Sequence, residues 1–202
     1  MNIKTMNTKM KSTEIMSEYE ERRRVAQYGR GIRNHLFTSR FNTTTRLRNE
    51  EYRVKKIPNG CLYGSPQMIT RRIPQEMNIM VLEMDNTDNR IFGIGLIKNI
   101  PYYNKYRIYG EQVECCDDYN RYVYIGKYHI RREDMNEEEE IVMKVFDELC
   151  FRGHMHMKRG QGLKAFPLKI LWRTKHILDL RGYVEKMFKR RYFEKKEERK
   201  NI

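Results

Sequence analysis

Cysteines at metal-ligand or redox spacing are missing from this chain. Its four cysteines, Cys61, Cys115, Cys116 and Cys150, form no Cys-x-x-Cys pair. That removes the common zinc modules and leaves free thiols in a reducing, intracellular compartment as the expectation. No apolar run is long enough to span a bilayer, and Met1 to Lys11 is polar where a secretory signal needs an apolar centre. No P-loop and no nucleophile elbow occurs. Glu83, Asp85 and Asp88 are the nearest thing to a carboxylate cluster, and turn-making at a hairpin tip explains them better than a two-metal site. His154 and His156 would share a strand face and could meet Cys150 or the Cys115–Cys116 pair, yet this matches no standard zinc spacing. The expectation is a noncatalytic protein without metal or cofactor.

Positive charge is what the chain has in excess. Forty-one Lys and Arg against 27 Asp and Glu leave +14, while apolar residues make up 39% of the sequence. A core is affordable, the surface must be heavily charged, and a polyanionic partner is favoured, with salt-sensitive binding. The length suits one domain with tails. The excess concentrates at both ends, which divides the chain into a basic N-terminal arm with one helix (1–56), a compact core (57–167) and a basic C-terminal helix (168–202).

The helix in the arm starts at Ser12 and stops at Gly29, with early acids and later arginines matching its dipole. From Arg30 to Arg53, arginines including Arg33 and Arg40 alternate with Thr and Asn around few apolar anchors. This stretch reads as an extended arm ordered against a partner, or as a disordered tail. In the core, Pro58-Asn-Gly60 is a turn, and Cys61 to Pro66 reads as another. Ile79 to Met84 is a buried strand, Asp85 to Asn89 a hairpin tip and Arg90 to Ile97 the return. Gly93 and Gly95 fall on one face of that return and leave a furrow for another layer or a ligand. Arg121 to Ile125 and Lys127 to Ile130 read as two more strands about a turn. Asn136 and Glu137 to Glu140 open a helix with an apolar stripe from Ile141 to Leu149. After Pro167 the pattern is helical, broken or kinked at Gly182.

The run Phe151 to Pro167 holds three glycines, two histidines and a cationic cluster. Gly153, Gly160 and Gly162 permit backbone that a Cβ would block, and place Lys158, Arg159 and Gln161 at the tip of a turn between two strand-like pieces. Such a tip suits a phosphate or a base edge; the alternative is a β-hairpin with a solvated tip. Tyrosines interleaved with Arg and Lys, above all Arg121, Tyr122 and Tyr124, have the composition of a stacking surface, although alternate tyrosines are also ordinary sheet residues.

Ile91-Phe-Gly-Ile-Gly-Leu-Ile97, Arg121-Tyr-Val-Tyr-Ile125 and Lys158-Arg-Gly-Gln-Gly-Leu163, in this order, resemble the elements of PUA-like pseudobarrels, including the EVE branch related to YTH readers. The text is also similar to proteins encoded by large nucleocytoplasmic DNA viruses. The resemblance covers about half the chain and implies an α+β fold with a small mixed, barrel-like sheet, RNA or modified-base recognition, and no chemistry. The one tryptophan, Trp172, lies outside the barrel segment, so stacking would fall to tyrosines. The combined expectation is a noncatalytic nucleic-acid-binding protein, with RNA preferred over DNA, located in a host cytoplasm or a virion. Its site would be Lys158, Arg159, Gln161, Arg121, Tyr122 and Tyr124, with phosphate contacts from Arg30, Arg33 and Arg40. The alternative is a structural or assembly protein of a virion or ribonucleoprotein, contacting other particle proteins.

Overall fold

The computed structural model describes residues 17–103, 105–109, 117–153 and 156–194. Helix α1 spans Glu18–Arg30, with the Ser17 hydroxyl accepting from the Glu20 amide as its cap. Ser12, the expected cap, and His154 lie outside the described residues, as do Cys115 and Cys116.

The chain then enters a five-stranded sheet as β1 (His35–Phe41), leaves through α2 (Thr43–Lys56) and forms β2 (Cys61–Ser65) in a second sheet. β3 (Asn78–Asp85) and β4 (Arg90–Lys98) make the long central hairpin. β5 (Tyr102–Tyr103) and β6 (Tyr122–Gly126) complete the second sheet, and β7 (Tyr128–Arg131) returns to the first. Helix α3 (Glu137–Phe151), the short strand β8 (Lys164–Ala165), α4 (Leu168–Thr174) and α5 (Leu180–Phe188) follow, with a π-helical turn over Lys189–Glu194. The large sheet has the order β7-β4-β3-β1-β8 and the small one β2-β6-β5.

The expected closed barrel does not form: both sheets are open. Two features prevent closure. β1 inserts parallel to β3, from His35 beside Ile79 to Phe41 beside Asp85, which takes the edge that a barrel would need. β2 pairs with β6 instead of joining the large sheet. The Arg30–Arg53 stretch is therefore no extended arm. β1 sits inside the sheet, and its polar residues are absorbed locally. The Thr38 hydroxyl donates to the Lys164 carbonyl at 3.4 Å, and Arg40 donates through Nε to the Met157 carbonyl. A long side chain of this kind can bury its stem while its charged head takes backbone partners.

Alternation along the strands divides the interior in two. Leu36, Met80, Leu82 and Met84 face α3, α4 and α5. Phe37, Ile79, Val81 and Ile97 face Tyr63 and Tyr124 of the small sheet. The result is a helix layer, a five-stranded sheet and a three-stranded sheet. β6 and β7 are not the expected pair about a turn: the chain changes sheets between them, at Gly126 and Lys127. Cys61 to Ser65 is likewise a strand and not a turn, buried at every position.

Other expectations match the structure. Asn136 and Glu139 form a reciprocal capping box at the start of α3. Asp85 accepts from the Thr87 amide at 2.8 Å in the hairpin tip, and Asn59 and Asn89 take positive φ in their turns. The C-terminal break expected at Gly182 falls instead at residues 175–179; Gly182 lies in the first turn of α5, where its amide donates to the capping Asp179 carboxylate at 3.0 Å. Glu139 also anchors the end of the described chain, accepting from Arg191 at 2.5 and 2.6 Å.

Candidate anion site at the carboxyl end of β1

The glycine-rich segment makes no hairpin. Between Met157 and Leu163 it has no strand pairing, and only β8 joins the sheet, beside β1. What it does is wrap the carboxyl end of β1. Gly162 has a φ of +61°, and a Cβ there would stand 2.2 Å from the Ser65 hydroxyl. Only glycine combines that backbone with so close an approach. The wrap is pinned from the hairpin tip, where the Asn86 Nδ2 donates to the Lys158 carbonyl at 3.1 Å.

A cavity of about 340 Å³ remains between this wrap, the end of β1 and the start of α2. Its walls include Arg40, Asn86, Gly160, Gln161, Tyr109 and Tyr119. Two polar atoms stand out. Arg40 Nη1 and Asn86 Oδ1 are buried and have no hydrogen-bond partner among the described residues. Burial pushes the Arg40 guanidinium below the usual arginine value, opposed by Cys150 and Tyr119; an arginine so placed still carries its charge. A buried donor and a buried acceptor left unpaired each cost on the order of 1–3 kcal/mol. Both residues line this cavity, so one ligand carrying an acceptor and a donor could satisfy them once their side chains adjust.

The predicted site residues separate into three groups. Arg40 and Gln161 share this cavity, and Lys158 and Arg159 lie on its wrap, the first half-buried and the second exposed. Arg121 and Tyr122 lie on the small sheet, where the Arg121 guanidinium sits 5.6 Å from the Tyr122 ring centre. There they join tyrosines of the edge strand: Tyr103 packs edge-on against Tyr122 at 5.5 Å, and Lys105 lies 5.9 Å from the rings of Tyr102 and Tyr106. Ser65, which Gly162 touches, pairs with Tyr122, so the wrap and this aromatic edge are neighbours. Tyr124 offers no stacking face. It is fully buried, and its hydroxyl accepts from the Ile69 amide at 2.9 Å. Arg30 and Arg33 are exposed beyond the other end of β1, away from this cavity.

The furrow left by Gly93 and Gly95 holds another layer. A Cβ on Gly95 would lie 1.9 Å from the Tyr63 hydroxyl, and one on Gly93 2.6 Å from the Glu83 carboxylate. These glycines make room for a buried polar cluster. The Tyr63 hydroxyl donates to Glu83 at 2.7 Å, and His129 Nε2 lies 2.9 Å from the other Glu83 oxygen and 2.8 Å from Arg53 Nη1. Burial opposes ionisation of Glu83, but His129, Arg53 and the Tyr63 hydroxyl outweigh it and hold the carboxyl below its usual range. Cys61 beside it is pushed up to about 12 by burial and by Glu83.

Asn86, Tyr109 and Tyr119 were not singled out as site residues. Asn86 lies in a run of turn-forming residues, which hides a second role. The two tyrosines reach the cavity only because Gly64 lets the Tyr119 carbonyl pass within 2.2 Å of its Cβ position. Among the described residues, no group of His, Cys, Asp and Glu is placed to hold a metal ion. No described helix is long and apolar enough to cross a membrane. Compared with protein-family models, with curated proteins and with solved structures, the chain matches none.

Proposed function

We propose that this protein binds single-stranded nucleic acid, RNA in preference to DNA, at the carboxyl end of β1. The observation that carries the reading is that Arg40 and Asn86, whose Nη1 and Oδ1 are buried and unpaired, line one polar cavity. A backbone phosphate accepts from Arg40, and a ribose 2′-hydroxyl donates to Asn86, a group that DNA lacks. Lys158, Arg159 and Gln161 extend the contact along the backbone. Tyr102, Tyr103 and Tyr122, with Lys105 and Arg121 among them, stack bases, each worth about 1–3 kcal/mol. The +14 net charge adds a sequence-independent, salt-sensitive contribution. The buried free thiols Cys61 and Cys150 fit action inside a cell.

The test is anisotropy of labelled oligouridylate and oligodeoxyuridylate against the full chain over a range of salt. RNA should bind more tightly, and Asn86→Leu should narrow the gap between the two. Equal affinity before and after that change removes the 2′-hydroxyl contact. Absence of binding to either strand at low salt removes the function.

A second reading, an assembly protein, draws on Leu47 and Val54 of α2, which are seven residues apart and more than half exposed. Purification as a large assembly free of nucleic acid would favour it.

A further inference from the structure

A larger cavity, about 560 Å³, opens beyond the opposite end of β1, between α1, α4 and α5. Seven strand residues separate the two sites, roughly 20 Å at the usual rise, so they are independent. Its walls carry Arg24 and Tyr28 from α1, Trp172 from α4, Lys175 and His176 from the following turn and Arg181 from α5. No carboxylate among the described residues lines it.

The acids nearest these elements are already engaged. Glu21 of α1 accepts from Lys169 at 2.7 Å and from Arg173 at 2.6 Å. Glu185 takes Arg181 Nη1 at 3.0 Å and Lys189 at 2.8 Å. That leaves Arg181 Nε and the Tyr28 hydroxyl buried and without a partner among the described residues. The Lys175 ammonium lies 5.5 Å from the centre of the Tyr28 ring. Arg24, Lys175 and Arg181 therefore share one concave space with two unused donors, and like charges so gathered repel unless balanced by an anion, which Glu185 supplies in part to Arg181. A guanidinium and a hydroxyl lining one cavity match the several acceptor oxygens of a phosphate better than a single carbonyl. The half-buried indole of Trp172 adds apolar surface for an organic substituent.

We propose that this cavity binds the phosphate group of a nucleotide or of a nucleic-acid backbone. Arg181 Nε and the Tyr28 hydroxyl donate to its oxygens, and Arg24 and Lys175 supply the balancing charge. The site is separate from the one at Arg40 and stands whether or not that one binds RNA.

Trp172 is the one tryptophan of the chain, so its emission reports on this cavity alone. The full chain is titrated with uridine 5′-monophosphate, with oligouridylate and, as the phosphate-free control, with uridine. A saturable change in Trp172 emission is expected with a phosphate probe and not with uridine. Response to the mononucleotide identifies a free-nucleotide site; response to the oligomer alone identifies a backbone site. Arg181→Gln and Lys175→Gln should each weaken the response about tenfold or more, while Arg40→Met leaves it unchanged. Lys175 lies in a turn, so its variant tests the site even where Arg181→Gln perturbs packing. No saturable change with either phosphate probe, an equal change with uridine, or an unaltered response in Lys175→Gln would overturn the assignment.

Discussion

Two buried polar clusters sit on one sheet and are treated in opposite ways. Around Glu83, the carboxylate, Tyr63, His129 and Arg53 contact one another at short range, and Gly93 and Gly95 are spent to make the space. Around Arg40, the guanidinium has one backbone partner, and both Nη1 and the neighbouring Asn86 Oδ1 have none. Buried polar groups in folded proteins are normally paired, and an unpaired one asks for an explanation. The closed cluster has its polar groups met within the fold, and the open one is where we propose that a ligand binds. The pair teaches that in this chain burial alone does not single out a candidate site; unmet hydrogen-bonding capacity in the wall of a cavity does.

Breaking the closed cluster should have the largest effect. Glu83→Ala strips the carboxylate from Arg53 and His129 and should lower stability by about 3–5 kcal/mol, read from the midpoint of urea unfolding. Gly95→Ala comes next, at about 1–3 kcal/mol, because its Cβ would overlap the Tyr63 hydroxyl and nothing but buried strand surrounds it. A Gly95→Ala protein as stable as the parent would mean that the cluster is looser than described.

Acid should separate the clusters further. Burial, then Arg181, hold His35 below its ordinary value. The unfolded chain therefore binds the proton first, and between about 6.5 and the lower folded value stability should fall as pH falls. His35→Asn should abolish that first step. Glu83 is held below its usual range, so its contribution is full above about 4.3 and is lost as pH drops through the lower folded value. Urea midpoints measured across acid pH would show the two steps, and a single step shared by His35→Asn and the parent would contradict the assignment. The smallest effect is chemical. Cys61 and Cys150, both pushed up to about 12 mainly by burial, should stay unalkylated in the native protein at neutral pH and react once it is unfolded.

The sequence made the central hairpin legible because Ile79 to Met84 is continuous and apolar and Asp85 to Asn89 is rich in turn formers. The Asn136 capping box and the turn at Pro58 were legible for the same local reasons. β1 was hidden, since Thr38 and Arg40 carry polar groups whose partners come from Lys164 and Met157, more than a hundred residues away. Local pattern cannot register such partners, so a core strand read as an arm. The barrel failed at the same point, because a sheet that accepts β1 as a parallel neighbour cannot close. Of the site, Arg40 and Gln161 were named for their charge and donors and line one cavity. Tyr124 was named by composition, and its burial against Ile69 depends on which sheet takes the strand.

The most direct measurement compares Arg40→Met with the parent in two assays, anisotropy of labelled oligouridylate and urea unfolding. Methionine keeps much of the buried stem and removes the unpaired charge. RNA affinity should drop about tenfold or more and the salt slope should flatten by about 0.7, while the unfolding free energy stays within about 1 kcal/mol of the parent. A protein that unfolds early yet binds RNA as before would show that Arg40 serves the fold, and that the open cluster is no binding site.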